Sequence, residues 1–137
     1  MKLIYEVFDL VKSSKNVDDK INVLRKNETW ALKDVLRGTY DPKVKWNVPT
    51  GKPPYEPNQG HNAPANLLKQ NKQFKYFVKG LDGDKLLKPR REMLYIKLLE
   101  SVHPKDAEIV INMTSKKSIT GISKSLVRKA FPNLITE

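Results

Sequence analysis

The sequence predicts an all-α fold: about six or seven short helices in one compact domain over residues 1–137, with an ordered proline-rich arm at 41–64. Three observations predict it. Apolar residues recur at intervals of three and four along most of the chain, the period of a helix buried on one side. Turn-forming residues break these runs at short intervals, so the helices must be short and must pack on one another. Six of the nine prolines fall between Pro42 and Pro64, where no long helix can pass.

The elements follow in order. Leu3, Ile4, Val7, Leu10 and Val11 predict a first helix over about residues 2–13. After Ser13-Ser14-Lys15-Asn16, a second helix starts near Val17, with Asp18 and Asp19 complementing its positive dipole end. A third carries Ala31, Leu32, Val35 and Leu36, and Gly38 is placed to end it. The arm comes next. Val44–Val48 alternates like a short extended segment, and Trp46 and Tyr55 supply apolar groups that a flexible linker would not need. A fourth helix opens near Asn62, with Pro64 in its first turn, and runs to Gly80. A turn at Leu81–Asp84 leads to a fifth helix from about Pro89, and His103-Pro104 opens a sixth. The last helix has the clearest start: Ser123 is a good N-cap, and Ile122 and Val127 stand at hydrophobic-staple spacing. Pro132 ends it.

Composition narrows the function class. At 39 % hydrophobic and 30 % charged residues, the chain is too apolar for a disordered protein and too polar for a membrane protein. The opening residues show no signal-peptide pattern, and the absence of cysteine excludes disulfides and thiolate metal sites. The catalytic motifs are missing: no G-x-S-x-G, no H-E-x-x-H, and only two histidines, His61 and His103, far apart. His103 before Pro104 reads as a helix-start residue. The chain therefore reads as a binding protein without cofactor or metal rather than as an enzyme.

The net charge of +11 favours a polyanionic partner. Residues 1–64 hold 11 basic and 8 acidic groups, and residues 65–137 hold 15 and 7, so the C-terminal half is the place to look. One cluster is Lys116, Lys117, Lys124, Arg128 and Lys129, around the start of the last helix, where free N–H groups would also favour a phosphate. A second is the helical stripe Lys69, Lys72, Lys75 and Lys79, with Arg90 and Arg91 nearby in sequence. A lysine stripe of this kind also serves as a plain solvated face. Residues 104–131 permit a helix-turn-helix reading, but the connection from Met113 to Ser123 is longer than that motif's tight turn. Binding to DNA or RNA through phosphates, without reading sequence, is the first function class. It would serve replication, transcription or packaging. The alternatives are a module that docks on a protein partner through Trp46 and Tyr55 of the arm, and a minor virion component whose basic surface faces packaged DNA. A membrane partner is not expected.

The run Ala31-Leu32-Lys33-Asp34-Val35-Leu36-Arg37-Gly38-Thr39-Tyr40-Asp41-Pro42, continuing to Pro53-Pro54-Tyr55, resembles the N-terminal part of a family of small uncharacterised proteins from T4-like tailed bacteriophages. Gly121-Ile122-Ser123-Lys124-Ser125-Leu126-Val127-Arg128-Lys129-Ala130-Phe131-Pro132 resembles that family's ending. The resemblance assigns no residue a role. It implies a phage protein acting in the host cytoplasm or carried in the virion.

Overall fold

The first three helices form where an apolar stripe meets a cap. The computed structural model describes residues 2–58 and 67–135, with the side chains of Leu68 and Lys69 outside the description. Helix α1 (Ile4–Ser13) buries Ile4, Val7, Phe8 and Val11. The expected stripe needs one correction: Leu10 faces outward and Phe8 inward, because a helix turns through about 100° per residue and positions 4, 7, 8 and 11 share the tighter arc. Helix α2 (Val17–Lys26) is capped by Asn16, whose side chain accepts the Asp19 N–H at 2.9 Å. Helix α3 (Trp30–Tyr40) is capped by Thr29 and buries Ala31, Leu32, Val35 and Leu36. Gly38 does not end α3, as its residue type suggests; the helix continues to Tyr40. A Cβ at Gly38 would lie 2.5 Å from Cζ2 of Trp46 and 2.9 Å from Sδ of Met113. Glycine is needed there for close packing, not for a turn.

The arm lies against this helical layer. Trp46 forms an antiparallel bridge with Val78, flanked by Asn47 N–H donating to the Phe77 carbonyl and Lys79 N–H donating to the Lys45 carbonyl, both at 2.7 Å. The Trp46 indole N–H donates to the Gly38 carbonyl at 3.0 Å, and its ring meets Phe74 edge-on at 6.1 Å. Further along, Gly51 N–H donates to the Ser115 hydroxyl at 2.9 Å and Glu56 N–H to the Glu100 carboxylate at 2.8 Å. The expected fourth helix is corrected more heavily. Its opening at Asn62 and Pro64, and His61, fall outside the described residues. Among the described residues helix α4 covers Leu67–Gln70, and a 3-10 segment follows at Asn71–Tyr76. Phe77 and Lys79 hydrogen-bond to the arm on either side of the isolated Val78 bridge, so the α-helical ladder cannot continue to Gly80.

A second 3-10 turn, Asp82–Lys85, leads into α5 (Lys88–Ser101), α6 (Pro104–Thr114) and α7 (Lys124–Ala130). His103 caps α6, its Nδ1 accepting the Lys105 N–H at 3.1 Å, which is the helix-start role expected of it. Ser123 caps α7 by accepting the Leu126 N–H at 3.0 Å. Helix α3 packs on α6, α7 on α2, α5 on α6, and α1 on both α2 and α6. Leu32, Leu36, Leu98, Leu99, Leu126, Val127 and Phe131 are all buried, and they belong to one contiguous hydrophobic cluster. The fold is all-α, with seven α-helices among the described residues. No helix among them is long and apolar enough to cross a membrane.

Candidate nucleic-acid interface

The loop between α6 and α7, residues 115–123, organises the main basic surface. Its path is fixed by the backbone first. Lys116 takes a left-handed conformation, φ 57°, and its N–H and that of Lys117 close the end of α6 on the carbonyls of Met113 and Asn112. The Tyr40 hydroxyl at the end of α3 then holds the loop's far side: it accepts the Ile119 N–H at 2.9 Å and donates to the Ile122 carbonyl. Lys20 of α2 donates from Nζ to the Gly121 carbonyl at 3.0 Å.

Two hollows flank this loop and share Ser118 and Ile119 as a common wall. Lys20, Lys124, Ser118 and Ser123 line one of about 650 Å3, whose lining contains no carboxylate. Lys12, Lys105 and Lys117 line the other, where Asp9 and Glu108 offset part of their charge. The surface thus gathers cations from α1, α2, α6, α7 and the loop. Lysine ammonium groups and hydroxyls on an ordered loop are suited to phosphate oxygens, with no base edge being read.

The expected cluster is only partly brought together. Lys117 and Lys124 belong to the loop surface. Lys116 turns back: its ammonium donates to the Asp41 carbonyl at 2.8 Å. Burial lowers its pKa below the ordinary lysine value, and the charge of Lys124 lowers it further, while Asp41 acts in the opposite direction. Arg128 and Lys129 sit at the other end of α7, beside the end of α2, where Arg25 donates to the carbonyls of Lys129 and Ala130 at 3.0 and 3.1 Å. Arg128 is half-buried and Lys129 exposed. Lys12, Lys20 and Lys105 are cations that the sequence clusters do not include. The signal available for Lys12 and Lys20 is their placement on either side of the Ser13–Asn16 break, away from the apolar stripes.

The second predicted cluster disperses. The Lys69 side chain lies outside the described residues. Lys72 and Lys75 are exposed on the 3-10 segment, and Lys79 is exposed beyond it, so they do not form an α-helical stripe. Arg90 is exposed at the start of α5. Arg91 is a structural residue: it donates to the carbonyls of Asn47, Gly83 and Leu86 at 3.1 to 3.4 Å and ties the arm to the second 3-10 turn. The two arm aromatics are held within the chain. Trp46 packs as described, and Tyr55 is half-buried against the core, with burial first and Glu108 second raising its pKa. No group of three His, Asp or Glu side chains among the described residues could hold a metal.

Fold and surface together define a small all-α protein whose lysines converge on one tied-down loop. The chain belongs to the family of unknown function DUF6433, whose model matches residues 7–119. No match was found among curated proteins. The matched region runs from within α1 through α6 to the first part of the loop, and it ends before Lys124 and α7.

Proposed function

We propose that this chain is a non-enzymatic binding protein that grips nucleic acid by its phosphates, without sequence preference, on the surface around loop 115–123. One observation carries the reading: Lys20 and Lys124 face one hollow with Ser118 and Ser123 and no carboxylate, on a loop held from beneath by Tyr40. Screened surface charge is a weak source of affinity pair by pair, but phosphate contacts add through the counterions they release. The resemblance to T4-like phage proteins supports a setting in infected bacteria, in replication, transcription or packaging, or in the virion.

The test is a titration of the full chain with duplex and single-stranded DNA at two salt concentrations. Binding should weaken steeply with salt. The triple variant Lys20→Glu, Lys117→Glu, Lys124→Glu should bind weakly and with a flatter slope, by about one unit for each phosphate that is no longer neutralised. Lys116 is left out because its bond to the Asp41 carbonyl is part-buried, whereas the Lys20 bond to the Gly121 carbonyl lies exposed at the surface. If the variant folds and binds with unchanged affinity and slope, the interface is elsewhere. If the unmodified chain fails to bind DNA even at low salt, the nucleic-acid reading falls.

A further inference from the structure

A separate hollow, of about 510 Å3, opens between α3 and the 3-10 segment Asn71–Tyr76. Val44, Trp46, Phe74 and Val78 contribute to its apolar lining. Trp30 and Leu81 also line it, and they remain exposed at 73 % and 50 %. A tryptophan that open to water is a poor use of a large apolar surface in an isolated protein and marks a contact site. Two polar groups on its wall are already engaged: the Trp46 indole N–H on Gly38, and the Asn71 amide on the Asp34 carboxylate at 2.7 Å. Around these groups stand Arg37, Lys72 and Lys75. Arg37 donates from Nε to the Leu134 carbonyl at 3.4 Å and lies 4.0 Å from Asp34, and Lys75 lies 3.9 Å from Asp82; these are long contacts, and the two side chains remain 43 % and 52 % exposed.

We propose that this hollow docks an acidic segment of a partner protein. Apolar side chains of the segment enter between Trp30 and Leu81, and its carboxylates meet Arg37, Lys72 and Lys75. The lining selects hydrocarbon side chains over nucleobases, whose polar edges would find the indole N–H and the amide already engaged. Three cations against one lining carboxylate, Asp34, make the rim select negative charge. A second copy of the chain is disfavoured because it brings a further net charge of +11. Trp30 then acts as the anchor, the residue type most enriched where binding energy concentrates. The arm contributes through Trp46, as part of the lining rather than as a free recognition group. This docking does not depend on the nucleic-acid reading.

The test selects short random peptides by display on the full chain, with excess duplex DNA present to occupy the loop surface. Selection should enrich peptides whose apolar residues are flanked by Asp or Glu. Their affinity should fall roughly tenfold or more in Trp30→Ala, and also in the double variant Lys72→Glu, Lys75→Glu. The triple loop variant should keep peptide binding. No enrichment, enrichment of peptides without carboxylates, or peptides indifferent to Trp30→Ala would overturn the proposal. So would displacement of the selected peptides by an oligothymidylate, which would place single-stranded nucleic acid in the hollow. Concentration-dependent self-association that Trp30→Ala abolishes would make the occupant a second copy and also overturn it.

Discussion

Asp106 in the first turn of α6 is fully buried, and only one of its carboxylate oxygens is satisfied. Oδ1 accepts the Tyr5 N–H at 2.9 Å, while Oδ2 has no hydrogen-bond partner among the described residues. Burial raises its pKa above the ordinary carboxylate value. The Tyr5 N–H and His103 act against that shift, and Glu6 adds to it. The sign for stability follows from proton counting. Between the unfolded and the raised folded value, the native state binds more protons than the unfolded chain, so stability falls as pH rises. The contribution is complete below the unfolded value and is lost as pH climbs through the folded one. Asp106→Asn should keep the acceptor for Tyr5 and remove this limb. Denaturant midpoints measured from about pH 4 to 7 should show the variant gaining on the unmodified chain as pH rises. Parallel curves would show that Asp106 carries no such linkage.

Elements whose signals are local are legible in the sequence. Helix α7 is the clearest case. Ser123 predicts its start, the stripe Leu126, Val127, Ala130 and Phe131 predicts its inward face, and the structure has both. Phe131 is 7 % exposed, so Phe131→Ala should destabilise the chain by about 3–5 kcal/mol in a denaturant titration. A loss below about 1 kcal/mol would mean that α7 is peripheral to the core. The region after the arm is not legible, because its conformation is set from a distance. Phe77 and Lys79 pair with Asn47 and Lys45, and nothing local in Lys69–Lys79 announces that pairing. The helical spacing of the lysines suggests a helix where the structure has a 3-10 segment followed by a bridge at Val78. Gly38 shows the same limit within a correctly placed helix. Its partners, Trp46 and Met113, come from other parts of the chain.

At the level of the whole molecule, charge totals account for only part of the basic surface around the loop. The C-terminal half carries most of the net charge, and it supplies Lys117 and Lys124. The two cations that complete the surface from the first helices, Lys12 and Lys20, come from the half with the smaller excess. They reach the loop because α1 packs on α2 and on α6, and α2 packs on α7. Lys116, adjacent to Lys117 in sequence, is turned away by its backbone conformation. A basic surface assembled this way depends on tertiary structure. Limited unfolding should therefore flatten the salt dependence of DNA binding in step with loss of the native signal. A slope unchanged through the unfolding transition would show that the chain binds as a polycation regardless of fold.

The Tyr40 hydroxyl, with one bond received from the loop and one given to it, also settles when the loop's disorder is removed. Folding has already restricted residues 119–122, so a phosphate bound as proposed would meet a surface with little freedom left to lose. In Tyr40→Phe the charges are all retained, but the loop must be ordered at the moment of binding. Affinity for DNA should drop while the salt slope stays the same, which separates this change from loss of a lysine. Because the ordering penalty belongs to the complex, the weaker binding should appear as a more unfavourable entropy in calorimetry.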